Sequence, residues 1–376
     1  MTMTRHQRCD AAIACLPVDR PPRYVCGIAC DVSSRILGRQ AYTGTGSLHY
    51  AEADAWCKGD AAHEEFVEQV YRDLADVFRA LDIDVFRMPW RMTAKPSRRL
   101  DGNTFVYGDP EGEHVVYRYS PQTGDFGPIS STQTALDDLD AFEAAVAARE
   151  RRERETPPPV ELPTEHQEMF RRFGEEFFLV CNGGDISVGL GEQAMLRLAL
   201  APGIMKRDMM LQARRAVRLG EALARSRCPR VLQSGGDLAG NGGLMYSPAT
   251  FRDVVLPAYR WTNERLSPLG VHVFFRSDGD VWAIADMLFR DAGIPGFGEV
   301  DREAGMTAGR LREKYPRLVM WGNFSSRMLA WAKPAQIRDE ARRIVDETRG
   351  SGYFQGCSNA ILRGTPIENV EAMFDL

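Results

Sequence analysis

The chain reads as an α/β protein built on a parallel (β/α)8 barrel of the TIM type, with an inserted β-hairpin and helix segment near the barrel mouth. Two observations predict this. The last third holds four short apolar runs, each closing on polar or glycine-rich residues: Arg230-Val-Leu-Gln-Ser-Gly-Gly-Asp237, Val271-His-Val-Phe-Phe-Arg-Ser-Asp-Gly279, Leu318-Val-Met-Trp-Gly-Asn323 and Gly352-Tyr-Phe-Gln-Gly-Cys357. Helical-looking stretches follow most of them. Buried strands alternating with helices are the pattern of a parallel barrel, where chemistry gathers at the carboxyl ends of the strands. Over the whole chain the candidate strands number eight: 24–30, 84–87, 178–182, 230–234, 271–276, 296–300, 318–322 and 353–356.

The first strand follows the Asp19-Arg20-Pro21-Pro22 turn, and small and polar residues over 38–59 carry no clear element. A helix is predicted over 61–81, because Phe66, Val70, Leu74, Val77 and Leu81 recur at spacings of three and four and make one apolar face. The second strand delivers Trp90 and Arg91 to the top of the barrel. Residues 92–176 read as an insertion within a single domain spanning 1–376. In it, 103–107 and 114–119 flank Gly108-Asp-Pro-Glu-Gly-Glu113 as a hairpin. A helix over 136–155 ends in Arg149-Glu-Arg-Arg-Glu-Arg-Glu155, read as a solvated helix end stopped by Pro157-Pro-Pro159. The barrel resumes at 177–182, with helices at 192–200, 204–226, 248–266, 281–291, 334–349 and 367–374.

With 376 residues, 44% of them hydrophobic, one large barrel core accounts for the chain. A net charge of −5 gives no basic footprint for nucleic acid. No apolar run approaches the ~20 residues that cross a membrane. The first residues, Met1-Thr-Met-Thr-Arg-His-Gln-Arg-Cys-Asp10, are too polar for a signal peptide. Eight cysteines without a Cys-x-x-Cys pair argue against a zinc finger or a disulfide framework, so a reduced, cytoplasmic location is expected.

The strand ends gather Asp31, Arg87, Arg91, Asn182, Asp237, Arg276, Asp278, Glu299, Asn323 and Asn359 around one mouth. Arginines beside acids suit a carboxylate-bearing ligand, since guanidinium groups bind carboxylates bidentately; pairing among themselves is the alternative. Asp237 sits in the flexible loop Gly235-Gly-Asp-Leu-Ala-Gly-Asn-Gly-Gly243, and a carboxylate leaving an apolar strand needs a partner or a role. These glycines form neither G-x-G-x-x-G nor a Walker loop, which argues against a nucleotide. Asn323 is a candidate ligand donor or a turn asparagine, and Trp90 a candidate pocket wall.

Several of these segments resemble the uroporphyrinogen decarboxylase superfamily: Gly236-Asp-Leu238 leading to Ser247-Pro248 and Pro257, Ser277-Asp-Gly279, Trp321-Gly-Asn323, Thr365-Pro-Ile-Glu-Asn369, and at the start Thr4-Arg-His-Gln-Arg8 with Asp19-Arg20-Pro21-Pro22. In the cobalamin-linked methyltransferases of that superfamily the matching strand end reads His-x-Cys-Gly, and a later cysteine completes a zinc site that activates a thiol. Here Arg276 and Asp278 stand at the first two ligand positions, and the third falls at Asn359, or at Cys357 after a shift of two. Arginine stays protonated and cannot ligate zinc, so no metal is assigned; a rearranged set would have to draw on Asp278, Cys357, His272 or Glu299. The decarboxylase branch carries a Gly-Arg-Tyr loop and an aspartate after the second strand. Ile36-Leu-Gly-Arg-Gln-Ala-Tyr42 echoes the loop in part, while Met88-Pro-Trp-Arg91 lacks the aspartate.

The resemblance therefore implies a methyltransferase or demethylase component working with a corrinoid-carrying partner protein on a small acidic methylated or methoxylated substrate. Arg276 and Arg91 would anchor the substrate carboxylate, Asp237 or Asp278 would manage the leaving group's proton, and Asn323, Trp90 and Asn359 would complete the pocket. The alternatives are a cofactor-independent decarboxylase of a carboxylated heteroaromatic and a barrel that binds without turnover. Members of the decarboxylase branch are commonly dimers, which makes a homodimer an expectation.

Overall fold

A computed structural model describes residues 2–132 and 139–375. Its strands, in chain order, are β1 (Val85–Phe86), β2 (Arg98–Arg99), β3 (Thr104–Gly108), β4 (His114–Tyr119), β5 (Phe126–Ser131), β6 (Phe178–Leu179), β7 (Val231–Gly235), β8 (Ala239–Gly240), β9 (Gly243–Leu244), β10 (His272–Arg276), β11 (Gly296–Gly298), β12 (Val319–Phe324) and β13 (Tyr353–Cys357). Among the described residues no helix is long and apolar enough to cross a membrane.

Backbone hydrogen bonds close a parallel barrel. β7, β10, β11, β12 and β13 pair in that order as one parallel sheet. From β13 the ladder passes to the stretch around Arg23, where Tyr24 N donates to Gln355 O at 2.8 Å and Gln355 N to Pro22 O at 2.8 Å. Asp84 N and Val85 N donate to Arg23 O, and β1 pairs with β6. Cys181 N then donates to Val231 O at 3.1 Å and Gln233 N to Cys181 O at 2.8 Å, which returns the ladder to β7. The first half of the barrel is far thinner than its sequence suggests. The strand expected over 24–30 shrinks to one bridge at Arg23, because Ile28 bridges Ile361 and the helix Cys30–Leu37 already starts there.

Side chains alternate in and out along each strand. The inward set Tyr24, Val85, Phe178, Val180, Val231, Phe274, Val319, Trp321 and Phe354 fills the barrel. Trp321 anchors it, with Tyr24, Phe274 and Phe354 ring centroids 4.6, 5.0 and 4.5 Å away. This plug makes the barrel a core rather than a pore and gives the mouth a hydrophobic floor.

The amino-terminal motifs form a clasp under the barrel. Thr4 caps the helix Arg5–Ile13 in a capping box with Gln7. Arg8 binds Asp19 at 2.7 Å and the fully buried Asp84 at 2.5 Å, and Arg20 reaches the other Asp84 oxygen at 2.6 Å. Asp84 also accepts the Arg23 amide at 2.7 Å, so one buried carboxylate seats the first two barrel stretches together.

Between β1 and β6 the chain builds an antiparallel sheet in the order β2-β3-β4-β5. Its centre is the expected hairpin, with Phe105 opposite Tyr117 and Gly108 opposite His114. The flanking β2 and β5 escaped the sequence reading because their residues are mostly exposed. The sheet rests on the helix Thr45–Lys58, where Tyr50 stacks on Tyr119 at 4.2 Å. The contact is so close that a Cβ on Gly46 would fall 2.4 Å from Phe126 N, which explains a glycine in a helix that the small, polar 38–59 stretch did not announce.

The predicted helix over 136–155 is observed as Leu139–Glu155, its expected start at 136–138 lying outside the described residues. Its charged end is not simply solvated. Glu150 pairs with Arg207 at 2.8 Å and Glu153 with Arg218 at 2.7 Å on the helix Pro202–Arg225, because the alternating charges fall opposite a basic helix face.

Candidate functional site

One pleat above the aromatic plug, the same alternation brings Cys26, Arg87, Asn182, Gln233 and Arg276 to the mouth. Arg87 donates through Nε to Gln233 Oε1 at 3.0 Å and through Nη1 to both Cys26 Sγ (2.9 Å) and Cys26 O. Cys26 Sγ in turn donates to Glu299 Oε1 at 3.0 Å. Burial pushes the Cys26 thiol up to about 12, and the Glu299 carboxylate adds to this, so the sulfur keeps its proton and acts as a donor.

Glu299 breaks the alternation. Phe297 packs into the outer core, and a regular strand would leave residue 299 on that same outer face. Glu299 instead has φ +58°, in the left-handed region, and its buried carboxylate reaches Cys26 and Arg276. Arg276 lies between two acids, with Nη1 3.5 Å from Glu299 Oε2 and Nη2 3.7 Å from Asp185 Oδ1. Both contacts are loose, and the guanidinium is 29% exposed. Burial raises the Asp185 carboxyl above its ordinary range against the pull of Arg276.

The Ser277-Asp278-Gly279 turn crowns this layer. Gly279 has φ +81°, and a Cβ there would lie 2.5 Å from the Ala239 carbonyl carbon, so the turn and the glycine-rich loop require each other. Ser277 Oγ accepts the Leu238 amide at 3.0 Å, and Asp301 accepts the Gly279 amide at 3.2 Å. Asp278 projects from the turn and takes a hydrogen bond from Asn359 Nδ2 at 2.9 Å. Its carboxyl is pushed up to about 7, first by burial and then by the negative charges of Glu299, Asp237 and Asp301, with Arg276 opposing. A carboxyl titrating near neutrality can hold and deliver a proton at physiological pH.

Seven of the expected residues, Arg87, Asn182, Asp237, Arg276, Asp278, Glu299 and Asn359, meet at this mouth. Asp237 adds its charge to Asp278 and has no hydrogen bond or ion pair of its own among the described residues. Trp90 stands on the rim, 80% exposed, with its ring edge-on to His49 at 5.1 Å. Arg91 is not part of the mouth. The chain turns outward after β1, and Arg91 is buried against Glu52 (2.6 Å) and Glu165 (2.7 Å), over the Tyr71 ring. Asn323 is likewise unavailable to a ligand. It is fully buried with φ +71°; Oδ1 accepts from Arg302 (2.8 Å) and Ala308 N (2.9 Å), while Nδ2 donates to Val300 O (3.1 Å) and Met306 O (2.8 Å).

Among the described residues no group of three or more His, Cys, Asp or Glu side chains is arranged to hold a metal ion. The donor chemistry agrees with this geometry. Arg276 stands where the imidazole would be and engages Glu299; His272 lies at the opposite end of its strand, near Asp10; Cys357 is buried, pushed up to about 12, and bonded to Asn359 O at 2.7 Å. These residues do not fit the three-ligand zinc site. Sequence reasoning gave no role to Cys26 or Asp185. The signal for Cys26 was its spacing of two from the inward Tyr24; Asp185 follows Gly183-Gly184 at a strand exit.

The uroporphyrinogen decarboxylase (URO-D) family model matches residues 237–376, the part of the chain that contains the Asp278 turn and Asn359. Over that stretch, somewhat more than a third of the chain, the sequence is similar to the URO-D family. No curated protein matches it by sequence. In fold, the chain is similar to a methyltransferase from Methanosarcina mazei, with a TM-score of 0.61 and 15% identity over 99% of this chain and 97% of that one. A uronate isomerase from Bacillus halodurans C-125 aligns over 100% of this chain and 86% of that one at 11% identity, but a TM-score of 0.29 gives it no weight.

Proposed function

We propose that the protein moves a methyl group from a small, acidic, methoxylated or methylated compound to the cobalt of a corrinoid carried by a partner protein. The observation that supports this reading is the pairing of a carboxyl titrating near neutrality, Asp278, with the loosely held, partly exposed guanidinium of Arg276. Arg276 binds the substrate carboxylate, which replaces its 3.5 and 3.7 Å contacts with shorter charge-assisted bonds. The substrate ether is thereby held beside Asp278. As the methyl carbon leaves, the carbon–oxygen bond breaks with its electron pair on oxygen, and Asp278 gives that oxygen its proton. Solvent reprotonates Asp278 through the open mouth, where Asn359 keeps the carboxyl oriented. The fold shared with a protein named as a methyltransferase accords with this reading.

A second reading is decarboxylation of a carboxylated heteroaromatic, which the URO-D match favours. Arg276 would then hold the departing carboxylate, and Asp278 would protonate the ring carbon. One experiment separates the two. The purified protein is incubated with reduced free cobalamin and a panel of methoxybenzoates and N-methylated amino acids, and methylcobalamin is followed by its absorbance. Parallel samples with pyrrole-2-carboxylate are assayed for released carbon dioxide. Methylcobalamin formation that depends on Asp278 supports methyl transfer. Carbon dioxide release without it rejects methyl transfer in favour of decarboxylation.

A further inference from the structure

We infer that Glu299 is the positioning residue of this mouth, fixing the Arg276 guanidinium within it; the inference rests on Arg276 being the substrate anchor. Three observations support it. The first is the backbone. At φ +58° Glu299 is a non-glycine residue in an unfavourable conformation, at the end of a barrel strand where an ordinary turn would need no such strain. The second is what that conformation achieves, since it swings the side chain from the outer face of β11 to the inner one. The third is that both carboxylate oxygens are engaged by mouth residues. Oε1 accepts the Cys26 thiol at 3.0 Å, and that sulfur is itself held by Arg87 at 2.9 Å, so the carboxylate cannot swing away. Oε2 faces Arg276 at 3.5 Å, with Asp185 on the guanidinium's other side at 3.7 Å. An arginine on a flexible stem is thus confined between two acids, at distances long enough for a ligand carboxylate to displace them.

The arrangement also places a fixed negative charge beside Asp278. The groups that face Asp278 are Glu299, Asp237 and Asp301, which disfavour its ionisation, Arg276, which favours it, and the neutral Asn359 amide. Neutralising Glu299 therefore lowers the Asp278 titration through its charge, while freer exchange of the Arg276 Nε–H is the readout of positioning.

The test uses the full chain labelled with 13C at aspartate carboxyls, the Asp278 resonance being assigned by its loss in Asp278→Asn. Titrations are compared for the wild type, Glu299→Gln and Glu299→Gly, the glycine variant serving as a fold-safe control because it accepts the positive φ. In both variants the Asp278 midpoint is expected to fall from about 7 toward the ordinary carboxylate range, and exchange of the Arg276 Nε–H with solvent to accelerate. An unchanged Arg276 Nε–H exchange rate in either folded variant overturns the inference, whatever the midpoint does. No substrate is involved, so loss of the methyl-transfer reading would leave this result intact.

Discussion

Replacing Asp278 with asparagine preserves the shape of the turn and removes its titratable group. The folded carboxyl titrates at about 7 against an ordinary value of 3.8, an upward shift of about 3 units. At about 1.4 kcal/mol per unit, that is a ceiling of about 4 kcal/mol of preference for the protonated form. The side chain is partly exposed, and solvent screening reduces the figure to about 2 kcal/mol. The sign follows from proton linkage. Below about pH 4 Asp278 is protonated in both the folded and the unfolded chain. Between about 4 and 7 the unfolded chain releases its proton first, so rising pH withdraws stability, and above 7 the loss is complete. The asparagine variant lacks this slope. Its stability relative to wild type should therefore grow by about 2 kcal/mol from pH 4 to pH 8. Urea unfolding followed by tryptophan fluorescence, repeated at steps across this range, gives the increment of Asp278 together with the carboxylates coupled to it, because titrating groups remote from the turn cancel in the difference. An increment that stays flat with pH would refute the argument. The same variant should lose about 100-fold or more of methyl-transfer turnover, with its KM much less affected.

Arg276→Ala should weaken binding of a methoxybenzoate by about 10- to 100-fold in titration calorimetry, the value of a charge-assisted pair, while unfolding stays cooperative because Cys26 still satisfies Glu299. Asn323→Ala should lower stability by about 2–4 kcal/mol in denaturant midpoints and leave substrate KM unchanged, since its four buried partners lie in the loop after β11. Arg91→Ala should cost about 3 kcal/mol of stability by leaving the fully buried Glu52 with His63 at 3.0 Å as its remaining side-chain partner, again without a KM effect. A KM increase with unchanged stability in either of these last two would return that residue to the substrate pocket.

The second half of the barrel was legible because β7, β10, β12 and β13 are continuous apolar runs buried on both faces, as parallel strands must be. The first half was legible in position, at 84–87 and 178–182, but not in extent, because its strands reduce to a bridge at Arg23 and two-residue pairings at β1 and β6. There the clasp of Arg8, Arg20 and Asp84 does what a longer ladder does elsewhere. The helix Thr45–Lys58 was hidden for a related reason: its small residues answer to the sheet that lies on it rather than to an apolar periodicity.

The site was legible in its residue types and less so in their directions, and a left-handed backbone sets the direction of two of its residues. Inward–outward alternation assigns position 323 to the mouth and position 299 to the outer face. Both residues have positive φ, +71° and +58°, so both side chains leave the face that alternation gives them. Asn323 turns away to bind the loop after β11, while Glu299 turns in to meet Arg276. A sequence carries no direct mark of a left-handed backbone at a residue other than glycine, which is why a ligand donor was expected at Asn323; Glu299 was expected at the mouth and stands there, its contacts with Cys26 and Arg276 being what the sequence did not announce. The substitution of arginine at 276 has a similar reach. A guanidinium at the mouth needs carboxylates nearby, Glu299 and Asp185 supply them, and burial together with the charges of Glu299, Asp237 and Asp301 raises Asp278. On the proposed reading, two changes of residue type in one turn, to Arg276 and Asp278, replace thiolate activation by a metal with anion binding and proton delivery.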